Sequence, residues 1–155
     1  MDSKDWLEQI SSQNQIQNVL KTNSFTAKYG LELSEEEAEL VVRERWNSLK
    51  EQQRIEFGEG ILSKLIFEFC DSPYINRDNY AETLISLQEI FYLYKNESMD
   101  LFTDDELIEY MKNAFDNECQ GSLEFLEDTV LEKLGCWARE NSKAYFGSRR
   151  EDEVE

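Results

Sequence analysis

One proline and six glycines punctuate the whole 155-residue chain. That scarcity constrains the fold more than any motif does. Tight turns and strand bends rely on these residues, so a chain this poor in them is restricted to long helices joined at a few corners. The spacing of apolar residues agrees. Strand-like alternation never lasts more than a few positions, whereas helical spacing recurs along the chain. The length suits one buried core, and a composition 40% apolar and 12% aromatic supplies the side chains to fill it. The expected fold is all-α: a single-domain bundle of about six antiparallel helices over 1–146. Within it, 1–30 form more loosely packed N-terminal helices, and 147–155 form a disordered acidic tail.

Helix starts and stops are written into the sequence. "LSEEEAEL" sets Ser34 at an N-cap with Glu37 three residues on, and "FTDDEL" repeats the arrangement with Thr103 and Glu106. Both are capping boxes, in which each side chain bonds the other residue's backbone N–H. Behind the first box, Ala38, Val41, Val42, Arg45 and Leu49 share one face. Leu62, Leu65, Ile66 and Phe69 form the next helical stripe, stopped by Asp71, Ser72 and Pro73. Gly30 is a predicted helix stop, and Gly58 and Gly60 mark a break. Behind the second box, Leu107, Met111 and Phe115 face inward, with Cys119 next in register. A last helix is predicted from about Ser122 to Tyr145, with Leu123, Leu126, Val130, Leu134 and Trp137 inward.

The helix in "NRDNYAETLISLQEIFYLYKNES", with Asn76 as its predicted cap, is the most informative. Tyr80, Leu84, Leu87, Phe91 and Tyr94 form its main stripe, and Ile85, Ile90, Tyr92 and Leu93 widen the apolar surface around most of its girth. Such a helix is either central in the core or covered by a partner. Ile85 and Tyr92 are therefore the candidate interaction surface, for another protein or for a second copy in a homodimer.

Charge excludes several functions. Thirty-four acids against 16 bases give a net charge of −18, of which −8 falls in residues 101–140. A surface of this sign repels phosphates, so direct binding of nucleic acid or of an anionic membrane is not expected. A decoy that mimics nucleic acid is a further alternative, weakened by the bases scattered among the acids. No histidine is present. That removes His-dependent acid–base chemistry, Ser–His–Asp triads and the common zinc sites. "FGEGI" is not a phosphate loop: no strand precedes it, no Lys follows in register, and acids flank it. No cofactor is therefore expected. The ten aromatics between Phe67 and Phe115 are expected to fill the core rather than line a pocket. Cys70, Cys119 and Cys136 are odd in number and widely spaced, which reads as core thiols in a reducing compartment. With no apolar leader and no stretch of membrane-spanning length, the expected location is cytoplasmic.

One stretch raises a sharper possibility. "DNECQGSLEFLE", residues 116–127, matches part of an EF-hand calcium loop. Its ligands would be Asp116, Glu118, Gln120, the Ser122 carbonyl, Glu124 through water and Glu127 with both oxygens, around Gly121 at the sharp turn. Against this, Asp128 stands where an apolar residue is usual, and no second loop pairs with it. The simpler reading makes Gly121 a helix stop and Ser122 the N-cap of the next helix. It predicts that the preceding helix runs on through Cys119.

At "FGEGIL", "FCDSPYI", "LQEIFYLYKNES" and "DNECQGSLEFLE" the chain resembles a family of small acidic bacterial proteins of unknown function, over roughly residues 20 to 135. The resemblance implies a bacterial cytoplasmic origin and carries no activity. The sequence thus reads as a non-catalytic helical protein-interaction module, with calcium binding at 116–127 as the main alternative.

Overall fold

The computed structural model describes residues 3–56 and 60–141, with side chains described from Ile10 onward. Helix α1 is Ser3–Lys21, followed by a short α2, Asn23–Thr26, and a 3-10 turn, Ala27–Tyr29. Then come α3 (Glu35–Glu51), α4 (Leu62–Phe69), α5 (Tyr80–Glu97) and α6 (Asp104–Asp116). The C-terminal helix opens as Leu123–Phe125, passes through a π-helical stretch, Leu126–Leu131, and returns to α geometry over 132–141. Six main helices and no strand occur among the described residues, so the all-α expectation holds. The tail at 147–155 lies outside the described residues.

Both capping boxes form. Ser34 Oγ accepts the Glu37 N–H at 3.1 Å, and Glu37 Oε1 accepts the Ser34 N–H at 3.0 Å. Thr103 and Glu106 exchange the same pair at 3.1 and 3.0 Å. These bonds satisfy N–H groups that a helix start leaves open. Gly30 closes the 3-10 turn in the left-handed region at φ 78°, as its position before the next helix predicts. Asn76 caps a turn rather than a helix. Its Oδ1 accepts the N–H groups of Asp78 and Asn79, and α5 begins only at Tyr80.

The breadth of apolar surface on α5 is explained by its place. It packs against α3 most extensively, and also against α4, α6 and the start of the C-terminal helix. Tyr80, Leu84, Leu87, Ile90, Phe91, Tyr92 and Tyr94 are all buried. A helix surrounded on several sides needs apolar residues on several faces. The neighbouring stripes are buried as their spacing predicts: Ala38, Val41, Val42 and Leu49 on α3, Leu62, Leu65, Ile66 and Phe69 on α4, Leu107, Met111 and Phe115 on α6. Cys70 and Cys119 are core thiols, but Cys136 is exposed, because its turn of the C-terminal helix faces outward beside Arg139.

Candidate functional site

Three places bear on function: a buried polar cluster, the corner at 116–127, and a cleft between the last two main helices.

The polar cluster centres on Arg45, which is 1% exposed on the inward face of α3. A buried guanidinium requires acceptors close by. Glu56, in the loop after α3, supplies them. Its Oε1 lies 3.1 Å from both Nε and Nη2 of Arg45 and also accepts the Tyr92 hydroxyl. Gln15 Oε1 from α1 accepts Arg45 Nη1 at 2.6 Å, and Trp46 stacks beside the guanidinium at 5.1 Å. The loop is pinned in turn to the end of α5: Asn96 donates to the Gln52 carbonyl at 2.9 Å, and Arg54 bonds Asn96 and Asp100. Gly60 completes the enclosure. Its φ is +61°, and a Cβ there would fall 1.9 Å from Glu56 Oε1 and 2.7 Å from Arg45 Nη2. The second glycine of "FGEGIL" is thus required by this cluster. Burial pushes the Tyr92 hydroxyl far above its ordinary value, and the Glu56 charge adds to the effect. The cluster joins four parts of the chain. The sequence signal was an arginine in register with an apolar stripe; nothing in the sequence named Glu56 as its partner.

Tyr92 therefore sits at 0% exposure, with its hydroxyl engaged, and offers no face to a partner. Ile85 is half-buried and packed against the core. Of the two residues expected to form a surface, Tyr92 is covered from within and Ile85 only in part.

At the corner, α6 ends at Asp116, three residues before the end expected at Cys119. The chain then folds back. The Cys119 N–H bonds the Ala114 carbonyl at 2.9 Å, and the Gly121 N–H bonds the Phe115 carbonyl at 2.8 Å. This turn buries Cys119 to 5% exposure without helical continuity. Gln120 and Gly121 both take positive φ, 49° and 82°. A Cβ on Gly121 would lie 2.5 Å from Tyr74 Cβ, so close packing against Tyr74 explains this glycine.

The six residues of the calcium reading are otherwise disposed. Asp116 Oδ1 accepts the Ser72 hydroxyl at 2.6 Å, and its Oδ2 pairs with Lys112 at 2.7 Å. The Ser122 carbonyl accepts the Leu126 N–H and its hydroxyl accepts the Phe125 N–H, so Ser122 is an N-cap, as the simpler reading has it. Glu118, Gln120 and Glu124 are exposed. Glu127 is half-buried, and burial pushes its carboxyl upward, with Asp128 adding to the shift. No group of three or more metal-ligating His, Cys, Asp or Glu side chains occurs among the described residues.

The cleft lies between α6 and the C-terminal helix. It is open, about 300 Å³ in volume, and lined by Phe102, Leu107, Tyr110 and Leu134 with Glu106, Glu109 and Asn113. Tyr110 is 43% exposed, and Trp137, expected inward from its spacing, is instead 52% exposed, its ring 6.0 Å from that of Phe102. Leu101 and Met99, just before α6, are also exposed. One wall follows the π-helical stretch, where the Tyr94 hydroxyl donates to the Glu127 carbonyl at 2.7 Å. A π turn adds a residue to a helix and so turns the following side chains onto a new face. No helix among the described residues is long and apolar enough to cross a membrane.

No curated protein matches this chain. No solved structure matches it either. A family model described as a family of unknown function, DUF6323, matches residues 18–144, which is most of the chain and spans both glycine-bearing corners described above. The chain belongs to this family of unknown function.

Proposed function

We propose that this protein is a non-catalytic helical module that binds another protein through the face formed by α6 and the C-terminal helix. The observation that carries this reading is the concentration of exposed large side chains around one concave site. Tyr110 lines a cleft with Phe102, Leu107 and Leu134, the exposed Trp137 ring lies 6.0 Å from that of Phe102, and the exposed Leu101 directly precedes Phe102 in the chain. Aromatic residues and Met are enriched at protein interfaces, and a concave apolar patch is where the anchors of a partner seat. The π-helical stretch Leu126–Leu131 precedes Leu134 on the same helix, and such turns occur often at functional sites.

The test compares two full-length baits for affinity capture, the natural chain and one with Tyr110→Arg and Trp137→Glu. Both positions are exposed, so the fold should persist, which circular dichroism verifies. A discrete protein retained by the first bait and lost by the second is the expected result. An identical captured set from both baits would refute the reading.

A further inference from the structure

The charge around the cleft specifies what kind of segment fits it. Its lining residues include two carboxylates, Glu106 and Glu109, and no cation. Glu106 spends one oxygen on its capping bond to the Thr103 N–H and remains at the surface. Glu109 is exposed, and no hydrogen bond or ion pair engages it among the described residues. The nearest base on α6, Lys112, is held by Asp71 and Asp116 at 2.7 Å each, so its charge is already matched. Lys133 is exposed on the C-terminal helix but is not part of the lining. Residues 101–140 as a whole carry eleven acids against three bases.

We infer that the cleft receives a basic amphipathic segment of another protein, with apolar side chains entering between Tyr110 and Leu134 and Lys or Arg flanking them against Glu106 and Glu109. This rests on the interaction reading above and names the chemistry of the partner. Complementary charge guides such encounters and rejects like-charged ones. A second copy of this chain would bring the same acids against themselves across a two-fold contact, which disfavours that occupant. An apolar segment without cations would leave Glu109 facing a dry contact unpaired, at a cost.

The probe is a labelled helical peptide of about 18 residues, or five turns. It carries Leu on one face and Lys on the other, and is compared with the same peptide carrying Glu in place of Lys. Fluorescence anisotropy follows binding to the full chain at about 0.15 M salt, where diffuse attraction is screened beyond about 8 Å. Saturable one-to-one binding of the Lys peptide alone is expected. Tyr110→Ala and Glu109→Lys should each weaken it about tenfold. Glu39→Lys, the same charge change at an exposed site on α3, should leave it within about twofold. The inference is overturned if Glu39→Lys weakens binding as much as Glu109→Lys, which would mean attraction to net charge only. It is equally overturned if Tyr110→Ala has no effect, if the Glu peptide binds as well, or if the free chain is a dimer that Tyr110→Ala dissociates. A negative peptide result alongside a face-dependent partner in the capture experiment would sink this inference alone. A captured set indifferent to the face would sink the interaction reading itself.

Discussion

Glu56 Oε1 stands 3.1 Å from two nitrogens of Arg45, and the pair joins a loop to the inward face of a helix. The two ends are not equally buried. The Arg45 side chain is 1% exposed and the Glu56 side chain 15%. Removing the acid takes an anionic partner from a cation in the core, whereas removing the base leaves a carboxylate that can turn to water. Glu56→Ala should therefore cost about 3 kcal/mol, the lower end for breaking a buried pair. Arg45→Met should cost less, since Met also retains much of the packed volume. Urea unfolding of both variants gives the order, and a reversed order would remove the asymmetry argument.

Two glycines with similar backbone angles should respond differently to Ala. Gly30 has φ +78° with nothing within 4 Å of a new Cβ, so only the left-handed conformation is penalised, by about 1 kcal/mol. Gly121 has φ +82° and would drive a Cβ into Tyr74, adding an overpacking cost of about 1–3 kcal/mol. Denaturant midpoints should fall further for Gly121→Ala than for Gly30→Ala. Equal shifts would mean that the corner yields freely.

The corner should not behave as a calcium loop. The Ser122 carbonyl already accepts a helix N–H, and Asp116 is held by Ser72 and Lys112. A calorimetric titration at about 0.15 M salt should show no saturable single site down to the 10⁻⁴–10⁻³ M range of weak EF-type loops, roughly. Glu127→Gln should leave the trace unchanged. One-site binding abolished by that substitution would restore the metal reading.

Alkali should unfold the protein through its tyrosines. Burial pushes the Tyr80 hydroxyl up to about 12. Burial also raises Tyr92 and Tyr94, with the Glu56 and Glu132 charges adding to it. In the unfolded chain these groups ionise near pH 10, roughly. The folded state thus keeps protons that the unfolded state releases, so this contribution is intact below about pH 10 and is lost as pH rises through the folded values. Phenolate absorbance should rise in two stages, the second coinciding with loss of helical circular dichroism. A single stage near pH 10 with the helices intact would contradict the burial of these hydroxyls.

Much of this fold was legible because helices advertise themselves through spacing and caps. Ser34 with Glu37 and Thr103 with Glu106 fixed two helix starts, and the girth of α5 pointed to a central helix. The end of α6 was not legible. Cys119 keeps the buried spacing of Leu107, Met111 and Phe115, yet a fold-back turn places it there after the helix has stopped. Spacing reports which residues are buried and not which backbone buries them. Tyr92 misled in a related way, because an apolar side chain beyond one stripe looks the same whether a partner or another helix covers it. The cleft was hidden because it depends on how two helices cross. Glu56 was hidden because loop residues follow no period.

The ties of Arg45 also bear on where this domain begins. The family pattern starts at residue 18, but one acceptor of the buried guanidinium is Gln15, at 2.6 Å and 4% exposed. A chain cut to the matched stretch would keep the cation and discard that acceptor, together with most of the helix that shields α3. Hydrogen-bond satisfaction thus ties residues before the matched stretch to the core, independently of likeness to relatives.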